Sequence, residues 1–340
     1  MARAFLPIGA LAFLLAQAAP ASAKETLEAV AAQQTLRCGI TEGSPGLADQ
    51  GDDGAWRGFD ADVCRAVAAA ALGEAAQVEF VPLAADTAND ALAAGKVDVL
   101  ARGRFLRQAA GRVAVRFVTF TFVDAQSFLV PAENRVKNAL QLDGARICLR
   151  DGTGAEANLA AFGRSAKIRF ETVVLSASEP LSAALREGRC DAVSAGRLEL
   201  AMARRDMADR AHEFEILPEV LSRDQTGPFV RDGDQPWFNL VKWTVFALIQ
   251  AEELGIARDN VEALRATSED PRVRRFLGLE GGLGAALGVG DDWVYRIIRA
   301  VGNYGEIYDR HLGPETPLGL ERGPNALWSD GGLLHAMPFQ

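Results

Sequence analysis

The side chains with the clearest chemical reach are a run of arginines and a glycine turn. Arg102, Arg104, Arg107 and Arg112 crowd the stretch Ala101-Arg102-Gly103-Arg104-Phe105-Leu106-Arg107-Gln108-Ala109-Ala110-Gly111-Arg112. A guanidinium presents a planar fork of N–H groups that grips a carboxylate through parallel hydrogen bonds. Arg150 and Arg197 add to the same balance. Gly152-Thr153-Gly154 follows an apolar strand pattern and opens a helical one; free N–H groups at such a turn, with the helix dipole, favour an anion. The plainer readings are a solvated face for each arginine and an ordinary strand-to-helix turn for the glycines. Acid catalysis would need a carboxyl in a dry site with a raised pKa, and the nearest acids, Asp151 and Glu199, are not assignable to that role. No Ser-His-Asp arrangement and no Gly-rich loop ending in Lys-Ser/Thr is recognisable. His212, His311 and His335 are scattered and no C-x-x-C occurs, so neither a metal nor a cofactor is expected.

Two matched groups of elements must position these residues. Leu92-Ala-Ala-Gly95-Lys-Val-Asp98-Val99 recurs as Leu185-Arg-Glu-Gly188-Arg-Cys-Asp191-Ala192, each time leading from a helix into an apolar strand. The first group reads as strand 35–40, helix 59–72, strand 78–83, helix 86–94 and strand 97–101, with Asp60 a cap near the start of its first helix. The second reads as strand 145–149, helix 155–163, strand 168–175, helix 179–187 and strand 190–194. Alternating strands and helices of this length predict an α/β protein with parallel sheets. Ser127–Pro131 and Thr226–Val230 are expected to link the halves as two roughly parallel crossing strands, a hinge that lets a cleft close. Helices follow at 237–254, 271–277, 291–301 and 304–312, and the Gly- and Pro-rich tail 314–340 is expected to lie extended over the surface. Trp237, Trp243, Trp293 and Trp328 read as packing anchors rather than a sugar platform.

The ends and the charge narrow the function class. Arg3, the apolar run 4–16 and Ala21-Ser22-Ala23 form an export signal, 1–23. No later stretch reaches about 18 uninterrupted apolar residues, so a soluble exported protein is expected. Removal of Arg3 takes the formal charge from −9 to −10, a poor match to nucleic acid or anionic membranes. Cys38, Cys64, Cys148 and Cys190 fall two per half, predicting Cys38–Cys64 and Cys148–Cys190 disulfides in an oxidising compartment.

Trp56-Arg-Gly58-Phe59-Asp60-Ala-Asp62-Val-Cys64 resembles the G-F-D-x-D helix start of periplasmic amino-acid-binding proteins of ABC importers, solute-binding family 3. Trp237–Gly255, Asn303-Tyr-Gly-Glu-Ile-Tyr308 and Asn325-Ala-Leu-Trp-Ser-Asp-Gly-Gly332 are similar to the general L-amino-acid-binding subfamily, whose members also carry four cysteines. The resemblance implies a two-lobed periplasmic-binding-protein fold with a two-strand hinge: 24–128 with 229–340 as lobe 1 plus a helical extension, and 129–228 as lobe 2. It implies a monomeric periplasmic receptor that delivers a small ligand to an inner-membrane ABC permease, and no enzyme. Relatives clamp the ligand carboxylate with Thr-x-Thr-x-x-Arg after the third strand of lobe 1. Here, if Arg107 matches that arginine, the threonine places hold Arg102 and Arg104; if Arg112 does, they hold Arg107 and Ala109. Relatives also place an aspartate past the third strand of lobe 2, where this chain has Gly196, and an aromatic residue at the place of Leu47. The ligand-binding candidates are Trp56, Arg102, Arg107, Gly152, Thr153 and Gly154. With so many arginines and no ammonium partner, the expected ligand is anionic or amino-acid-like: an acidic amino acid or a carboxylate without the amine. The alternatives are a non-transport paralogue acting as a ligand sensor, and a cleft dehydratase.

Overall fold

The computed structural model describes residues 26–41, 45–73, 76–104, 114–176 and 178–339. The leader 1–23 and the candidates Arg107 and Arg112 lie outside the described residues. The first half runs α1 (Thr26–Gln33), β1 (Thr35–Ile40), the short pair β2 (Asp49–Gln50) and β3 (Trp56–Arg57), α2 (Phe59–Leu72), β4 (Gln77–Pro82), α3 (Ala88–Ala93) and β5 (Val99–Arg104). Strands β6 (Val115–Phe117) and β7 (Phe122–Asp124) follow, and β8 (Gln126–Pro131) enters the second half. There the order recurs as β9 (Arg146–Arg150), α4 (Ala155–Ala166), β10 (Glu171–Leu175), α5 (Leu181–Arg186) and β11 (Ala192–Gly196), extended by α6 (Arg197–Arg205) and β12 (Phe214–Ile216). Strand β13 (Asp224–Arg231) returns, followed by α7 (Gln235–Glu253), α8 (Val261–Thr267), α9 (Pro271–Phe276), α10 (Trp293–Val301) and α11 (Tyr304–His311).

The strands form two mixed sheets. One has the order β4-β1-β5-β13-β6 with β7 also on β13; the other is β10-β9-β11-β8-β12. The three strands joined through helices are parallel in each sheet. Strands β13 and β8 run antiparallel, which corrects the all-parallel expectation: a strand arriving from the other half needs no helical crossover. The crossing itself is also antiparallel, with Asp124 opposite Asp224 and Phe122 opposite Thr226. Strand β8 belongs to the second sheet from Gln126 and β13 to the first from Asp224.

The repeated phrase builds the same turn twice. Gly95 (φ 72°) and Gly188 (φ 67°) take the left-handed conformation that ends α3 and α5. The aspartate that follows then closes the turn onto the first strand of its sheet. Asp98 accepts the Arg37 backbone N–H at 2.9 Å and its guanidinium at 2.6 Å; Asp191 accepts the Arg146 N–H at 2.9 Å and its guanidinium at 2.8 Å. Each half is also stapled by a disulfide from its first strand, Cys38–Cys64 and Cys148–Cys190, with Cα separations of 6.3 and 5.6 Å.

The main core sandwiches α2 between the first sheet and α7, α10 and α11, with Trp237, Trp293, Tyr304 and Tyr308 buried. Trp328 departs from the anchor expectation and is 64% exposed. The tail is not simply draped over the surface. Leu318, Leu320, Leu327 and Leu334 are buried in the same core, and Phe339 packs its ring 5.0 Å from those of Trp243 and Phe276. Apolar side chains at these intervals bury surface without regular structure, and burial rather than helix or strand formation holds the segment. Among the described residues no helix is long and apolar enough to cross a membrane.

Candidate ligand-binding cavity

The start of α2 holds in place an arginine that lines a cavity at the crossing strands. Its first turn carries Asp60 and Asp62, both buried. The N-cap is Gly58 with no side-chain cap, so Asp60 is not the cap expected from sequence. Its carboxylate instead takes the fork of Arg102 on β5, with Nε to Oδ2 at 2.8 Å and Nη2 to Oδ1 at 2.7 Å. The Arg102 Nη1 donates to Thr226 Oγ1 on β13, and the Phe122 ring centre lies 5.0 Å from the guanidinium carbon. A charge this well held is both neutralised and aimed. These bonds use three of the five guanidinium N–H groups, leaving two without a partner among the described residues.

Arg102 lines a cavity of about 370 Å³ together with Thr41, Leu47, Asn89, Leu100, Phe122, Asp124, Leu198, Asp224 and Thr226. That volume suits a small ligand, and a mostly apolar wall with a few convergent polar groups is the usual composition of such a site. The wall comes largely from the first half and the crossing strands; Leu198 on α6 represents the second half.

Two carboxylates face the space. Asp124 ends β7 and Asp224 begins β13, directly opposite. Asp124 Oδ1 accepts the backbone N–H of Ala125 at 3.0 Å and of Leu198 at 3.3 Å. Burial pushes its carboxyl above the usual carboxylate range, Asp224 pushes the same way, and the two N–H groups and Arg102 only partly offset this. Asp124 was missed in the sequence, although it is the one acid in the apolar run 115–131.

Among the candidates that the structure describes, Arg102 alone reaches this cavity. Trp56 packs its ring 6.2 Å from that of Phe80 and gives its carbonyl to Arg65, outside the lining. Gly152, Thr153 and Gly154 are exposed at the head of α4, where the Thr153 hydroxyl bonds the Arg150 carbonyl at 3.0 Å; they too lie outside it. Arg150 is engaged by Glu199 and the Glu179 carbonyl, and Arg197 by the Leu217 carbonyl at 3.0 Å. These arginines fold against their own loops because carboxylates and carbonyls lie within their reach. Among the described residues, the cavity's charge is therefore one arginine already paired and two acids.

Comparison with known proteins agrees with this architecture. The model of bacterial extracellular solute-binding proteins, family 3, matches residues 36–259. The glutamate/glutamine/aspartate/asparagine-binding protein BztA of Rhodobacter capsulatus is 41% identical, over 99% of both chains. The general L-amino acid-binding periplasmic protein AapJ of Rhizobium johnstonii is 39% identical, over 97% of both. Among solved structures, an ABC transporter periplasmic binding protein from Brucella ovis with glutathione bound aligns with a TM-score of 0.78 and 40% identity, covering 93% of this chain and 99% of that one. The chain belongs to family 3 of the bacterial extracellular solute-binding proteins.

Proposed function

We propose that this protein is an exported receptor that captures a small amino acid between its two halves and delivers it to an ABC permease. The carrying observation is that Arg102 and Asp124 line one cavity at the crossing strands. A fixed guanidinium with spare N–H groups suits a ligand carboxylate, and the apolar wall of Leu47, Leu100 and Phe122 strengthens each polar contact by excluding water. Relatives whose names state amino-acid binding support the same class, and glutathione in the Brucella protein is itself built from amino acids. We take 24–128 with 229–340 and 129–228 as the two lobes, with residues 1–23 removed on export to the periplasm, and the receptor as a monomer.

Calorimetry on residues 24–340 against the common L-amino acids, glutathione and simple dicarboxylates tests this reading. At least one L-amino acid is expected to bind in the micromolar range or tighter; a full panel without amino-acid binding overturns it. Asp124 also supplies a part-buried cavity carboxyl that the sequence did not reveal for a dehydratase, so turnover of a prephenate-like acid by the same preparation would shift the reading to catalysis.

A further inference from the structure

We propose that Arg204, outside the cavity, is a latch that holds the two halves apart and thereby limits how tightly the receptor binds its ligand. The inference rests on the receptor reading and names a residue that sets affinity without touching the ligand. Helix α6 lies between the two cores. Its Leu200 and Ala203 are buried in that of the second half, whereas Ala201 is buried in the main core, with Leu198 and Met202 packed against it. The N-terminal end of α6 is bolted to the crossing: the Arg197 N–H bonds the Ala125 carbonyl at 2.9 Å, and the Leu198 N–H bonds Asp124 Oδ1 at 3.3 Å. The other end is tied to the tail, where Arg204 Nη2 donates to the Leu318 carbonyl at 2.7 Å and to the Gly319 carbonyl at 3.0 Å. The receiving turn is a fixed post. Leu318 and Leu320 are buried in the main core, and Arg322 pairs with Glu252 on α7 at 3.0 Å. The Asn325 side chain bonds both the N–H and the carbonyl of Val123 on β7, at 2.7 and 3.0 Å.

Two ties on one helix oppose rotation. The cavity is open toward the second half, which supplies only Leu198 among the described residues, with the Gly152–Gly154 turn exposed outside it. Capture between the halves needs the second half to swing inward about the crossing strands. Arg204 lies six residues beyond Leu198, about 9 Å along a helix that rises about 1.5 Å per residue. A rotation of roughly 20° about the Leu198 end moves it by about 3 Å, enough to break a hydrogen bond. The tie is also built to release. Among the described residues no carboxylate pairs with Arg204; burial, and after it the charge of Arg197, pulls its pKa below the ordinary arginine value, so a guanidinium leaving the tail regains hydration. Gly319 makes room for it: a Cβ at that position would stand 2.8 Å from Nη2. Because the tie exists in the open arrangement and is lost on closure, its free energy is subtracted from that of ligand binding.

The test is calorimetry on residues 24–340 with the common L-amino acids as probes, comparing wild type with Arg204→Ala. The variant should bind the amino acid that wild type binds about tenfold more tightly, the worth of a hydrogen bond from a charged donor that closure no longer has to break. Arg204→Lys, which keeps the charge and a donor for one carbonyl, should lie between the two. Selectivity among the amino acids should not change, since Arg204 lies outside the lining. A merely structural tie would lower the melting temperature and leave affinity unchanged or weaker, so the direction of the affinity change separates the two roles. If Arg204→Ala does not fold, Gly319→Ala presses on the same contact from the tail and is expected to tighten binding likewise. If wild type binds an amino acid and the folded variant binds it within about threefold or more weakly, a margin below the expected effect, the inference is overturned and the receptor reading stands. Binding of none of the amino acids by wild type overturns the inference together with the receptor reading.

Discussion

The aspartate of the repeated turn is 1% exposed in the first half, at Asp98, and 44% exposed in the second, at Asp191. The local bonds are the same, but the cover differs. Over Asp98 lie Trp237, whose indole N–H bonds the Asp98 carbonyl at 2.9 Å, and Arg231, within 3.9 Å of its carboxylate. Among the described residues, Asp191 has no comparable bond or ion pair from the later helices. The cavity repeats this asymmetry, since the first half and the crossing strands supply nearly all its lining. One half, weighted by α7 to α11, is the platform; the other is the lighter cover. A duplicated motif therefore fixes local geometry in both places, whereas its energetic weight depends on what the rest of the chain lays over it.

Breaking the two turns separately exposes the difference most strongly. Asp98→Ala strands a half-buried Arg37 guanidinium and its backbone N–H, and should cost about 3 kcal/mol or more in chemical denaturation. Asp191→Ala acts on a pair screened by solvent and should leave the melting midpoint nearly unchanged. Equal losses would dismiss the platform-and-cover distinction.

A smaller effect sharpens the comparison from the platform side. On α2, Asp62 meets His311 and Arg310 of α11, each at 2.7 Å, a tie to the C-terminal helices that α4 does not make. Burial raises the Asp62 carboxyl, but hydrogen bonds from His311 and Arg310 more than offset this and hold its pKa at about 2. A depressed folded-state pKa contributes stability that is full above the unfolded value near 3.8 and lost as pH falls toward about 2. The contribution is about 2 kcal/mol. The stability gap between wild type and Asp62→Asn should shrink across that window; a gap independent of pH would mean that Asp62 acts through packing alone.

Much of the fold was legible because it is local. Strand 35–40 and helix 59–72 fall where periodicity places them. The helix expected to end at Gly163 runs on to Ala166, because Gly163 is packed beneath the Ile168 carbonyl and the Phe170 ring and the left-handed Lys167 makes the stop. The burial of the tail is hard to see in the sequence because its glycines and prolines mask four well-spaced leucines. The site was far less legible, because its pairings are long-range. Arg102 finds Asp60 across 42 positions, and Asp124 faces Gly196 and Asp224 only after two sheets have formed. Composition identified arginines as ligand groups; folding paired Arg102, Arg150 and Arg197 with protein acceptors and set the acids Asp124 and Asp224 in the cavity.

The most direct test of the central claim is a crystal structure of residues 24–340 with L-glutamate bound. The account predicts the α-carboxylate within about 3 Å of the Arg102 guanidinium, a hydrogen-bonding distance, in the cavity that Asp124 also lines. A ligand seated elsewhere, for example at the Gly152–Gly154 turn with Arg102 and Asp124 untouched, would contradict it.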